Sequence, residues 1–160
     1  MKKLLIAIDD SEGSLKAVDY VSRQFSGMTD LRITLYHVLL GEPPQFWDDG
    51  HLLTDEEKKA RTTVIEKWLA NQKNRLEPIF QKAIETLTRG GVSPDQISTK
   101  FTSESIDVIP QCILGEAKAG GYQTLVIGRC GRSRTIHFLL GSIATQIVNS
   151  AEGLAVCVVG

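Results

Sequence analysis

Short apolar runs alternate along this chain with longer stretches whose apolar residues recur at helical spacing. Residues 3–8 (KLLIAI) form a continuous apolar run, as expected of a strand buried on both faces of a parallel sheet. Residues 14–25 follow, with Leu15, Val18, Val21, Ser22 and Phe25 on one helical face. Residues 31–38 (LRITLYHV) are rich in β-branched and aromatic side chains and predict a second strand. Leu39 to Leu53 reads as a loop holding Pro43, Pro44, Phe46, Trp47, Asp48 and Asp49.

Thr54-Asp55-Glu56-Glu57 has the form of a capping box and predicts the start of a long helix. Its stripe runs through Val64, Ile65, Trp68, Leu69, Leu76, Ile79, Phe80, Ala83, Ile84 and Leu87. The stripe stays in phase across Pro78, which predicts one kinked helix rather than two. Gly90-Gly91 ends it. Residues 96–101 (QISTKF) predict a weaker third strand. Residues 106–119 predict a helix with Pro110 in its first turns and Gly120-Gly121 at its end. Residues 122–127 (YQTLVI), 142–150 and 154–159 (LAVCVV) predict a fourth strand, a short helix and a fifth strand.

Strands and helices in strict alternation predict an α/β fold of three layers, a parallel sheet covered by helices on both faces with right-handed crossovers. Such sheets take ligands beyond the carboxyl ends of their strands, where the strand order reverses. Functional residues are therefore expected just after the first, second and fourth strands. The length of 160 residues suits a single domain, and neither a repeat nor a second domain is visible.

Composition narrows the function classes. Hydrophobic residues make up 42% and charged residues 23%, which matches a globular chain. No apolar run approaches the length of a bilayer span. The opening run after Met1-Lys2-Lys3 stops at Asp9-Asp10, too soon for a signal peptide, so a cytoplasmic protein is expected. A net charge of −1 gives no basic stripe for nucleic acid. Cys112, Cys130 and Cys157 lack C-x-x-C pairing and read as reduced thiols. His37, His51 and His137 lack metal-site spacing.

The chemistry gathers near the C-terminus. The fourth strand leads into Gly128-Arg129-Cys130-Gly131, and Gly141-Ser142 opens the last helix. Glycines let backbone amides approach an anion closely, and a helix N-terminus adds free amides and a favourable dipole. Arg129, Arg132 and Arg134 concentrate positive charge on this segment of an otherwise balanced chain. Together they point to phosphate binding, where a single glycine would indicate only a turn. No G-x-x-x-x-G-K-[ST] is present, and no G-x-G-x-x-G follows the first strand. A P-loop site is thereby excluded, and a dinucleotide Rossmann site is not expected.

Gly128-x2-Gly131-x9-Gly141-Ser142 resembles the ATP-binding signature of the universal stress protein family. The likeness extends to LLIAIDDSEGSLKAV at the start, to His37-Val38, to LVIGRCGRSR and to LLGSIATQIV. It implies an adenine-nucleotide-hydrolase-like sheet of order 3-2-1-4-5, a homodimer formed through the last strand, and ATP, with Mg²⁺, as the bound cofactor. It further implies that Ala7, Ile8 and Asp9 border the adenosine, with Asp9 a candidate Mg²⁺ ligand through Mg–ATP. Val38 would offer its backbone to the adenine. Gly128, Arg129, Cys130, Gly131, Arg132, Ser133 and Arg134 would wrap ribose and phosphates, and Gly141, Ser142, Ile143 and Ala144 would cap the phosphate chain. The chain departs from the family pattern at Arg129-Cys130, at Arg134 where glycine is frequent, at Gln123 where Asp is common, and at Gly153-Leu154 where proline often precedes the last strand.

Other residues admit plainer readings. Asp9-Asp10 resembles a receiver-domain acid pair, but the partner Asp and Lys are missing from the third and fifth strand ends. Asp10 reads equally as a helix-start acid. Cys130 sits between arginines, a setting for a reactive thiol, yet with no resolving cysteine near it in sequence it reads as an inert small residue. His37 reads as structural. His137 and Phe138 would cover the nucleotide or meet a partner, and Phe46 and Trp47 would form a lid or anchor their loop to the long helix. Three functions compete: a nucleotide-responsive regulatory protein with an unidentified protein partner, a slow Mg²⁺-dependent ATPase, and an ATP-independent dimeric interaction module. No general base or nucleophile is placed beside the glycines, which favours binding over fast chemistry.

Overall fold

A computed structural model describes residues 1–43, 46, 52–130 and 140–160. Five strands form one parallel sheet, β1 (Lys2–Ala7), β2 (Leu31–Leu40), β3 (Ile97–Glu104), β4 (Thr124–Gly128) and β5 (Ala155–Val159). The helices are α1 (Glu12–Gln24), α2 (Asp55–Arg89), α3 (Ile109–Ala119) and α4 (Ser142–Ser150), with short 3-10 turns at Pro94–Gln96 and Ile106–Val108. The strand order is β3-β2-β1-β4-β5, and every pair is parallel. This is the α/β architecture and the order expected from the sequence.

The apolar runs become the two-sided core. Leu4 and Ile6 join α1 and α2 on one face through Ala17, Val18, Val21, Leu76, Phe80, Ala83 and Leu87. Leu5 turns to the other face and packs with Tyr36, Leu125, Ile113 and Ala117 of α3, and Ala144 and Ile147 of α4. Alternation of side chains along β1 thus feeds both helical layers.

α1 begins at Glu12 rather than 14, because Ser11 caps it by accepting the Ser14 amide. Leu15, expected in its buried stripe, is exposed, and the packed face runs through Ser14, Ala17, Val18, Val21 and Ser22. α2 is one helix passing through Pro78, capped by the reciprocal Thr54–Glu57 box. Its buried face is limited to Leu76, Phe80, Ala83 and Leu87, while Val64 is exposed. The two Gly-Gly pairs do end their helices. Gly91 and Gly121 adopt positive φ, and Val92 and Tyr122 donate back to Leu87 and Ala117. That six-to-one bond over a left-handed glycine satisfies carbonyls the last turn would leave unpaired.

Two boundary shifts concern the site. β2 runs on to Leu40 and β3 to Glu104, where they pair with each other. β4 starts at Thr124, so Gly128 is its last residue, paired with Val159. Gln123 stands just before it and ties strand starts together: its Oε1 accepts from the Lys3 amide at 2.7 Å, and its carbonyl accepts from Ala155 at 3.1 Å.

Candidate functional site

The strand order reverses at β1, whose neighbours β2 and β4 lead to opposite sheet edges. A crevice at the carboxyl ends of β1 and β4 is the place where such sheets bind ligands. Ala7 closes β1, Ile8 and Asp9 follow it, and Gly128, Arg129 and Cys130 leave β4 beside them. Gly141 to Ala144 begin α4. Gly131, Arg132, Ser133 and Arg134 lie outside the described residues, as do Trp47, Asp48, Asp49, His51, His137 and Phe138.

The β1 end is held from two sides. Ile8 donates its amide to the Tyr36 carbonyl at 2.9 Å. The ring Nδ1 of His37 lies 2.5 Å from the Ile8 carbonyl oxygen, which accepts only, so Nδ1 carries the proton and donates. His37 therefore has the structural role expected of it at this bond. Val38 is buried and lies two residues past Tyr36, the last β2 residue with a β1 partner, so it stands at the mouth of the crevice.

Asp9 organises the turn into α1. Its Oδ1 accepts from the Ser11 amide and from the Ser14 hydroxyl, both at 2.8 Å, and its own amide donates to Ser14 Oγ at 2.8 Å. One carboxylate oxygen thus serves the cap of α1. Among the described residues no group of three or more His, Cys, Asp or Glu is placed to hold a metal ion.

Gly13, in the first turn of α1, lies directly against the end of β4. A Cβ on Gly128 would lie 2.5 Å from the Gly13 carbonyl carbon and 2.9 Å from its Cα. In the other direction, a Cβ on Gly13 would fall on the Cys130 carbonyl oxygen, well inside 3.0 Å. Backbone meets backbone here, which only glycine at both positions allows. Sequence reasoning found Gly128 and missed Gly13. Gly13 stood one residue before the expected start of the helix, where a glycine reads only as part of a turn, so the sequence offered no signal for its close packing.

The loop after β4 is tied at both ends. The Arg129 amide donates to Val159 at 2.7 Å, and the Gly141 amide donates to the Arg129 carbonyl at 2.8 Å. The Arg129 side chain extends beside Gly160, with Cδ and Nε each 3.4 Å from where a Cβ there would sit. That places it at the β5 side of β4. Gly141 caps α4 without a side-chain bond, and the first turn of α4 contains no acid. The leading amides of this helix have no intrahelical partner, and the dipole there favours an anion. Ser142 and Ile143 are exposed and Ala144 is buried.

Phe46 lies in the loop after β2. Its ring lies 4.3 Å under the Arg61 guanidinium, and its carbonyl accepts from Arg61 Nη2 at 3.3 Å. Trp68 Nε1 donates to the Leu40 carbonyl at 3.2 Å. Phe46 thus anchors the loop to α2. A separate concavity of about 460 Å³ lies between α2 and the outer strand β3, lined by Lys73, Leu76, Phe80 and Phe101 among others. It is apart from the crevice at β1 and β4.

Comparison with known proteins agrees with this architecture. A solved hypothetical protein, whose biochemical function was assigned from its structure, superposes with a TM-score of 0.75 at 18% identity, covering 99% of this chain and 94% of its own. A universal stress protein in complex with cAMP superposes at 0.63 with 16% identity, over 99% and 96% of the two chains. The universal stress protein from Archaeoglobus fulgidus in complex with dAMP superposes at 0.60 with 14% identity, over 100% and 98%. At these identities the likeness establishes the fold. No protein of curated function matches the chain significantly. The sequence itself matches the universal stress protein family over residues 1–158, and the chain belongs to that family.

Proposed function

We propose that this protein binds an adenine nucleotide, ATP with Mg²⁺, in the crevice between the carboxyl ends of β1 and β4, and acts as a nucleotide-responsive regulator in the stress response. The observation that carries the reading is the start of α4. Its N-terminus has neither a capping side chain nor an acid in its first turn, and it is bonded back to the glycine-led exit of β4. That donor set fits a phosphate group. Two neighbours of the same fold are described in complex with cAMP and with dAMP, which supports an adenine nucleotide as the ligand class.

In this reading Ala7, Ile8 and Val38 flank the adenosine. Gly128 to Arg134 wrap the ribose and phosphates, and Gly141, Ser142, Ile143 and Ala144 receive the phosphate chain. Asp9, whose Oδ1 already accepts from Ser11 and Ser14, would be the carboxylate ligand of Mg²⁺ brought in on ATP. A slow ATPase is the second reading, resting on Asp9 and the loop arginines. The third, an interaction module with a closed groove, needs Arg129 and Arg134 to fill the crevice; Arg134 lies outside the described residues, and the run of the Arg129 side chain beside Gly160 speaks against its share of that role.

A homodimer through β5 also belongs to the proposal, with the whole chain acting as a single cytoplasmic domain. β5 reads AVCVV, with no charge and no proline, and its outer edge has no strand partner among the described residues. The opposite edge, β3, is polar (ISTKFTSE). Exposed apolar edges invite pairing unless protected. Among the described residues no helix is long and apolar enough to cross a membrane.

The test is to purify the protein, extract it with acid, and identify the nucleotides released. Adenine nucleotide in the extract, lost in Gly131→Val, supports the reading. An empty extract together with no thermal shift on adding Mg–ATP opposes it, since a ligand that binds only the native state must raise the melting temperature.

A further inference from the structure

We propose that Gly13 is a positioning residue of the nucleotide site, one that sets where the loop after β4 begins and thereby the affinity for nucleotide. The inference rests on the nucleotide reading above. Its basis is the contact between the first turn of α1 and the exit of β4. Gly13 faces the Cys130 carbonyl oxygen so closely that a single methyl group at Gly13 would overlap it. Gly128 faces the Gly13 backbone equally closely, at 2.5–2.9 Å from a built Cβ. Neither neighbour is a flexible side-chain tip that can turn away. Each is backbone, and the Cys130 backbone continues Arg129, which is bonded to Val159 on one side and Gly141 on the other. Something must move, and the segment entering the glycine loop is what lies in the path.

The same turn of α1 holds Asp9. Ser11 and Ser14, on either side of Gly13, both bond Asp9 Oδ1. A shift of this turn therefore reaches both walls of the crevice, the β1 exit through Asp9 and the β4 exit through Cys130. Packed backbone transmits a displacement of this size rather than absorbing it.

Helix propensity argues the other way, and that makes the test sharp. Replacing a helical glycine by alanine stabilises a helix when space permits. Gly115 in α3 supplies the matched control, for a Cβ there meets nothing within 4 Å. Gly115→Ala is expected to raise Tm by about 2 °C and to leave nucleotide binding unchanged.

The experiment uses the full chain carrying Cys112→Ser and Cys157→Ser, so that Cys130 is its one thiol. ATP affinity is measured by calorimetry well below Tm, and the Cys130 reaction rate with an aromatic disulfide reagent is measured without nucleotide. The expected result for Gly13→Ala is ATP affinity reduced about tenfold or more and a Cys130 rate altered several-fold, with Gly115→Ala changing neither. A purely structural glycine would lower Tm and leave both readouts in place. ATP binding within twofold of the parent with an unchanged thiol rate overturns the inference alone. No ATP binding by the parent chain overturns the nucleotide reading and the inference with it.

Discussion

The Gly141 amide donates to the Arg129 carbonyl at 2.8 Å, joining the start of α4 to the exit of β4. Whatever path residues 130–140 take, their two ends meet at this bond. The dihedrals of Gly141, φ −60° and ψ 159°, suit proline. Gly141→Pro therefore removes the donor while keeping the backbone shape. It is expected to cost about 1 kcal/mol and to lower Tm by about 2–4 °C in a thermal melt. An unchanged Tm would show that the bond does not hold the loop ends together.

Ser14 is buried and exchanges hydrogen bonds with both the amide and the carboxylate of Asp9. Ser14→Ala leaves those groups short of a partner in a half-buried setting and is expected to cost about 1–3 kcal/mol in urea unfolding. Asp9→Asn keeps an oxygen acceptor for the Ser11 amide, so its stability loss is expected to be smaller than that of Ser14→Ala. The same Asn variant is expected to weaken Mg²⁺-dependent ATP binding, which a titration with and without Mg²⁺ reads directly. The reverse ranking in stability would mean that the turn into α1 depends on the Asp9 carboxylate more than on the Ser14 hydroxyl.

Tyr36 gives the protein an alkaline limit. Burial, aided by Cys112, Glu116 and Glu104 nearby, pushes its phenol up from 10.0 to about 12. The folded state thus keeps the proton longer than the unfolded chain. Its contribution is complete below pH 10 and is lost as pH rises through about 12. The Lys100 ammonium, raised chiefly by its 2.6 Å hydrogen bond to Glu116, titrates in the same direction above its ordinary 10.5. Urea midpoints from pH 9 to about 12.5 are expected to fall for the parent and to fall less for Tyr36→Phe. Parallel curves for the two proteins would remove Tyr36 from the account.

Sedimentation equilibrium is expected to give twice the chain mass of 17.6 kDa, with β5 supplying the shared edge. A monomer at micromolar concentration would contradict the dimer.

Much of this was legible from periodicity alone. Four of the five strands announce themselves as apolar runs because a parallel sheet buries both faces, while the edge strand β3 is polar and was the weaker expectation. The helix ends at Gly90 and Gly120 follow from the need for a left-handed residue just beyond. Strand ends were less legible. The last residues of β3, Thr102-Ser103-Glu104, are polar and pair only because β2 continues beside them to Leu40. The stripe on α2 overstated burial because helical periodicity reports a face, not whether the sheet reaches it, and Val64 stays exposed. Within the candidate site, Gly128 and Asp9 stood out by their place at strand ends, and Gly141 by its place at the start of the last helix. Gly13 did not, because its constraint comes from Cys130 and Gly128, more than a hundred residues away along the chain.

The most direct test of the central claim is calorimetric titration of the full chain with ATP in the presence of Mg²⁺. The account predicts saturable binding of one ATP per chain with Kd on the order of micromolar, about −8 kcal/mol. Absence of heat and of any thermal shift with ATP, ADP, AMP and cAMP up to about 1 mM would contradict it, and would leave the crevice at β1 and β4 without a nucleotide to hold.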